Sequence, residues 1–124
     1  DGILIKENHI AAAGGIRVAI ERARAHAHHL MRVEIEVTNL EQLGEALDAG
    51  ADAVMLDNMD NETMASAVAL NQARTGKGAL LEASGNVSLE RIRAMAETGV
   101  DFISVGAMTH SAPAIDLSLL IHPL

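Results

Sequence analysis

Apolar residues along this chain follow two alternating patterns. Short, nearly continuous runs occur at Ile3–Lys6, Arg32–Val37, Ala53–Leu56, Ala79–Ala83 and Phe102–Val105. Between them, apolar positions recur at intervals of three and four: Ile16, Ile20, Ala23 and Ala27; then Leu40, Leu43 and Leu47; then Met64 and Val68, with Gln72 beyond; then Leu89, Ile92 and Ala96. Such spacing places each set on one face of a helix, whereas the short runs read as buried strands. Thr38 with Glu41 predicts a capping box, Asn61 and Ser88 predict N-caps, and Gly50 and Gly99 predict left-handed helix ends. Each of these glycines leads through an aspartate into an apolar run, in Gly50-Ala51-Asp52-Ala53-Val54 and Gly99-Val100-Asp101-Phe102-Ile103. The chain therefore echoes one helix-to-strand unit internally.

Strands that alternate with helices predict βα units and a parallel sheet. A dinucleotide-binding sheet needs G-x-G-x-x-G at its first strand–helix turn, and Ala11-Ala12-Ala13-Gly14-Gly15 does not supply it. A phosphate-cradling Walker loop is absent as well. The unit lengths predict a partial, open TIM-like α/β barrel of about five parallel strands with intervening helices. A strand-like tail follows, because Ile115, Leu117, Leu119 and Ile121 alternate with Asp116, Ser118, Leu120 and His122. A strand of that kind needs a second sheet, and the sequence offers none.

The polar positions inside the strands change the picture from fold to chemistry. In Arg32-Val33-Glu34-Ile35-Glu36-Val37, the apolar residues share one face and the two glutamates share the other. In a βα barrel the outer strand face meets the helices, so both carboxylates point inward. Buried charge is costly unless paired or bound to a cation. Lys6 ends the first strand, Asp57 ends the third, and Glu82 and Ser84 share a face of the fourth. One reading is a structural Lys–carboxylate network, favoured for the deeper Glu34. The other is a site for a hydroxyl-bearing substrate, a divalent cation, or both, with Mg²⁺ matching an oxygen-rich ligand set. Glycines in Glu82-Ala83-Ser84-Gly85-Asn86 and Ser104-Val105-Gly106 permit close backbone approach to an anion, and successive late strand ends of a barrel are the usual phosphate cup.

Composition narrows the classes. The chain has 124 residues and is 49% hydrophobic, enough for one packed domain. It has no Cys, which excludes thiolate chemistry. It has no Trp or Tyr and one Phe, and its net charge is -8, so neither stacking platforms nor a basic surface for nucleic acid is present. No apolar run approaches the ~18 residues of a membrane span. The six Met are read as core filler. Among six histidines, His26, His28 and His29 read as a solvated cluster at a helix end, although His26 and His29 have metal-like spacing; His122 belongs to the tail; His9 and His110 fall near the proposed site.

Five segments in order, Leu4-Ile5-Lys6-Glu7-Asn8-His9, Val33–Val37, Gly50–Met59, Glu82–Gly85 and Ser104–His110, closely resemble the carboxylating nicotinate-nucleotide pyrophosphorylase (quinolinate phosphoribosyltransferase) family over essentially the whole chain. The resemblance implies conversion of quinolinate and phosphoribosyl pyrophosphate to nicotinate mononucleotide, pyrophosphate and CO₂ in NAD synthesis, with Mg²⁺, by a cytoplasmic enzyme that is a homodimer or larger. It implies that Lys6 lies where quinolinate meets the phosphoribosyl group. Glu36 and Asp57 would hold ribose hydroxyls or, directly or through water, the metal at the pyrophosphate end. Ser84, Gly85, Gly106 and His110 would grip phosphate. Asn86 stands where some members have a second glycine, so its implied role is through its backbone.

The family also carries an N-terminal sandwich domain, and further arginines that this sequence lacks. Residues 1–111 are thus expected to be a partial barrel domain, and 112–124 a tail that packs on the sandwich domain. With the start at Asp1 and the unpartnered tail, the expectation is the C-terminal part of a longer enzyme, inactive alone. The alternatives are an inert half-barrel scaffold or assembly fragment, and a same-fold paralogue with another base or a molybdenum-linked role.

Overall fold

A computed structural model describes residues 2–75, 78–111 and 113–122. The elements, in chain order, are β1 (Gly2–Ile5), α1 (Glu7–Ala13), α2 (Ile16–His26), β2 (Arg32–Val37), α3 (Leu40–Asp48), β3 (Ala53–Asp57), α4 (Asn61–Gln72), β4 (Leu80–Ser84), α5 (Ile92–Glu97), β5 (Phe102–Ser104) and α6 (Ala107–His110). All neighbouring strands are parallel, and their spatial order β1-β2-β3-β4-β5 is their sequence order. This order separates the two kinds of parallel sheet. A doubly wound sheet reverses at a switch point, whereas a barrel winds in one sense. The sheet is an open segment of a barrel, as the strand pattern predicts.

Side-chain alternation sets the two faces. Val33, Ile35, Val37, Val54, Leu56, Leu81 and Ala83 are all sealed from solvent. They meet the helices through Ile16, Ile20, Leu43, Met64, Ala67 and Met95. The opposite face is half-buried and built in layers. Glu36, Met55, Glu82 and Phe102 share one level; Asp57, Ser84 and Ser104 share the next, towards the C-terminal strand ends.

The two Gly-x-Asp echoes have a structural cause. Val33 N–H donates to Asp52 Oδ2 at 2.8 Å, and Asp52 N–H donates back to the Val33 carbonyl at 2.9 Å. Asp101 repeats the arrangement on Leu81 with the same two distances. Each aspartate closes the entry of a neighbouring strand, where a backbone N–H would otherwise lack an acceptor. The preceding Gly50 and Gly99 are left-handed, with φ of 79° and 92°.

Several local expectations shift. The N-cap of α3 is Asn39, accepting from Gln42 N–H at 2.9 Å, while Gln42 Oε1 accepts from Thr38 N–H. The predicted Thr38/Glu41 capping box does not form: the Asn39 side chain is the cap, and the Gln42 side chain reaches back past it to Thr38. Asp60, not Asn61, caps α4 by accepting from Thr63 N–H at 2.8 Å. The predicted Ser88 start of the fourth helix is a separate turn, in which Arg91 and Ile92 N–H reach the Ser88 carbonyl; α5 begins at Ile92 and Leu89 is exposed. Helix α1 was not foreseen: it buries no residue fully, so it carries little apolar periodicity.

In the tail, residues 113–122 form no strand, and Ile115, Leu117, Leu119 and Ile121 are 83–86% exposed. The period of two is real, but a strand needs a ladder partner, and none of the described residues provides one. Ala112, Pro123 and Leu124, which bound the expected tail, lie outside the described residues, as do Asp1, Gly76 and Lys77 in the 1–111 segment.

Candidate active site

Sequential strand order brings the polar strand ends to one rim. Lys6 follows β1 directly, Glu36 is the penultimate residue of β2, Asp57 ends β3, Ser84 ends β4, and Gly106 lies two residues beyond β5. Lys6 Nζ contacts Glu36 Oε2 at 2.7 Å, with the Glu36 side chain 14% exposed. The hydrogen bond and charge of Glu36 raise the Lys6 pKa above its ordinary value, with smaller contributions from Glu7 and Asp57. Lys6 is thus held cationic between the acidic strand ends.

The late strand ends form the second cluster. Ser84, Gly85, Asn86, Gly106 and His110 all line one cavity of about 430 Å³. A Cβ at Gly106 would come within 2.9 Å of His110 Nε2, at the far end of that side chain. His110 Nδ1 is 2.8 Å from Ser111 Oγ. Gly85 is left-handed, with φ of 88°. Among the described residues, the backbone N–H groups of Gly85, Asn86 and Gly106 meet no backbone acceptor, so they are available to an anion.

Asn58 joins the two clusters, and sequence reasoning missed it. Its Nδ2 donates to both Asp57 oxygens at 3.0 Å, and its Oδ1 accepts from Asn86 Nδ2 at 3.0 Å. The available signal was an Asn directly after a strand-ending Asp, a residue type that tolerates φ > 0; its φ is 54°.

Beneath the rim, Glu34 has no cationic partner among the described residues. Its Oε1 is buried with no hydrogen-bond partner. Burial, then the charge and proximity of Glu82, raise its pKa. Glu82 also accepts from the Ser104 hydroxyl. His9 Nδ1 accepts from Lys6 N–H at 2.9 Å and caps α1, next to the site. His26 Nδ1 lies 2.9 Å from the Arg22 carbonyl oxygen, a contact within its own helix. A larger cavity, about 600 Å³, lies at the opposite rim against Arg32, Asp52 and Arg74. Asp52 and Arg74 are paired there with Arg24 and Asp48, so that end is structural.

The model of the quinolinate phosphoribosyl transferase C-terminal domain matches residues 1–120. The chain belongs to this family. It is 44% identical over 119 residues to a probable carboxylating nicotinate-nucleotide pyrophosphorylase of Bacillus subtilis, covering 96% of this chain and 40% of that protein. A counterpart in Synechocystis is 42% identical, covering 98% of this chain and 41% of that protein. A solved nicotinate-nucleotide pyrophosphorylase from Francisella tularensis superposes with a TM-score of 0.83 at 49% identity, over 95% of this chain and 40% of that one. The chain therefore spans about two-fifths of the length of these relatives. Both strand-end clusters fall within the quinolinate phosphoribosyl transferase domain.

Proposed function

We propose that this domain supplies the phosphoribosyl half of a site that joins quinolinate to phosphoribosyl pyrophosphate, giving nicotinate mononucleotide, pyrophosphate and CO₂. The observation that carries the reading is the meeting, at one rim of an open barrel, of the Lys6–Glu36 pair, Asp57 and a cup lined by Ser84, Gly85, Asn86, Gly106 and His110. In the reaction, the bond from ribose C1 to the pyrophosphate oxygen breaks and a bond to the ring nitrogen forms. A ring carboxylate then leaves as CO₂, and its carbon takes up a proton.

Each group has a matching task. The cup's backbone N–H groups and His110 hold the 5-phosphate, so an acidic chain binds an anion without a basic surface. Glu36 and Asp57 accept from ribose hydroxyls and offset the positive charge that builds on the ribose as pyrophosphate departs. Lys6 lies on the quinolinate side, where its cation steadies the negative charge left on the ring by decarboxylation.

Among the described residues, no three acidic or histidine side chains converge into a metal cage. Two carboxylates completed by water and substrate phosphate are nevertheless a normal Mg²⁺ environment. Glu36 and Asp57 fit as the residues that would hold it, directly or through water; bound there, Mg²⁺ offsets charge on the leaving group. A homodimer or larger assembly, working in the cytoplasm, is part of the same proposal. Among the described residues, no helix is long and apolar enough to cross a membrane.

The test is steady-state turnover by the complete gene product that carries this sequence. Lys6→Ala is expected to lower kcat/KM for quinolinate at least about a hundredfold, in line with losing a group aimed at charge that develops in the reaction. Unchanged kcat/KM would remove Lys6 from the chemistry.

A further inference from the structure

Asn58 and Asn86 are the two non-glycine residues with positive φ among the described residues, at 54° and 49°. They sit at the ends of adjacent strands, and their side chains meet. Backbone strain at both partners of one contact persists only where the surroundings enforce it.

The chemistry of the contact fixes its direction. The Asp57 carboxylate can only accept, so the Asn58 amide must present Nδ2 to it, and Oδ1 then faces the opposite way. Oδ1 in turn requires a donor, and Asn86 supplies Nδ2 at 3.0 Å. Asn58 N–H also donates to the Ser84 carbonyl at 2.9 Å, and Arg91 Nη1 donates to the Asn86 carbonyl at 2.7 Å. Gly85 lies between them, so close that a Cβ would come within 2.3 Å of Asn58 Oδ1. The carboxylate of the first cluster and the loop of the second are thus parts of one hydrogen-bonded unit.

We infer that Asn58 and Asn86 form a clasp that sets the Asp57 carboxylate relative to the phosphate cup, making Asn58 a positioning residue for ribose and phosphate together. The inference rests on the phosphoribosyl reading for the identity of the ligand, but the clasp itself is a property of this chain. Its consequence is that the spacing between hydroxyl recognition and phosphate recognition is built before substrate arrives. A substrate with a 5-phosphate and free ribose hydroxyls gains from that spacing; inorganic phosphate, which engages only the cup, gains less.

The complete gene product would be compared with Asn86→Gly, Asn58→Gly, Asn58→Asp and the Asn58→Gly/Asn86→Gly pair. Asn86→Gly keeps the left-handed backbone accessible and removes only the donor. Asn58→Asp keeps the acceptor for Asn86 and removes the donor to Asp57. Calorimetry measures ribose 5-phosphate and inorganic phosphate, and kinetics gives KM and kcat separately. Asn86→Gly is expected to weaken ribose 5-phosphate about threefold to tenfold, the range for one neutral hydrogen bond. The loss for inorganic phosphate should be smaller. In the Asn58→Gly background the same change should add less than about twofold, since partners in one network are non-additive. Asn58→Asp should lower kcat more than Asn86→Gly does, because it disturbs Asp57 directly. Multiplicative effects in the pair, equal losses for the two ligands, or no effect of Asn86→Gly on a folded protein would overturn the clasp. Absent turnover with the coupling intact would instead sink the substrate assignment and leave the clasp standing; a protein that binds neither ligand would sink both.

Discussion

Replacing Gly85 with alanine tests the geometry of the phosphate cup at its tightest point. Gly85 has a φ of 88°, a conformation that costs an L-residue roughly 1–2 kcal/mol. The new Cβ would also lie 2.3 Å from Asn58 Oδ1 and 2.6 Å from its Cγ, well inside contact distance. Asn58 cannot move aside freely, because its amide is held by Asp57 on one side and Asn86 on the other. Displacing it gives up one or two hydrogen bonds, each worth about 0.5–1.5 kcal/mol. Together these give about 1.5–5 kcal/mol against the native loop. The loop is at the surface, so it can relax in the free protein; the cost then appears on binding, as a loss of phosphate affinity of roughly tenfold to a few thousandfold. Calorimetric titration of ribose 5-phosphate into Gly85→Ala, beside a thermal melt, reads both quantities. The control is Gly106→Ala: its φ is -60°, and its Cβ meets only the movable His110 ring, so its loss should be several-fold smaller. Equal effects of the two substitutions, or an unchanged affinity in Gly85→Ala, would refute the assignment of the strain to this loop.

Other outcomes probe the frame around the site. Ile35→Ala removes most of a fully buried side chain on the helix-facing side of β2, and chemical denaturation should show a loss of about 2–5 kcal/mol. Its neighbour Glu34 should respond with the opposite sign. Its pKa is raised in the folded protein, so its contribution to stability is greatest at low pH and is lost as pH rises through the folded value. Glu34→Gln should therefore stabilise at pH 8 and do little at pH 4; destabilisation at both would contradict the inward, desolvated placement. At Asp52, burial acts upwards as the largest single influence, but it is outweighed by the Val33 N–H bond and the Arg24 cation, and the net pKa is below the usual 3.8. Stability from Asp52 is thus present above the ordinary carboxylate range and lost as pH falls through it. Asp52→Asn should be less stable at pH 7 and should lose less on acidification to pH 2, as followed by circular dichroism.

The fold was legible because its signals are local and repeated. Alternation in Arg32–Val37 shows which side of β2 faces the helices, and the absent Gly-rich turn separates a barrel from a doubly wound sheet. Site residues were legible wherever a charge or glycine interrupts an apolar strand end, as at Lys6, Glu36, Asp57 and Gly85. Two kinds of feature escaped. Helix α1 has no fully buried residue, so its sequence carries no strong period. Asn58 acts through contacts with Asp57 and Asn86, the latter 28 positions away, and no spacing rule announces a pairing made across neighbouring strand ends. For His9, closeness to Lys6 in the chain was legible, and the helix cap it makes there was not. In the tail, alternation reports a capacity for a strand, while the strand itself needs a partner edge.

The most direct measurement of the central claim is release of CO₂ from carboxyl-labelled quinolinate by the complete gene product, with and without phosphoribosyl pyrophosphate. The account predicts release that requires phosphoribosyl pyrophosphate, matches nicotinate mononucleotide in amount, and slows at least about a hundredfold at low quinolinate in Lys6→Ala. A folded protein that binds ribose 5-phosphate yet releases no CO₂ under these conditions would contradict it.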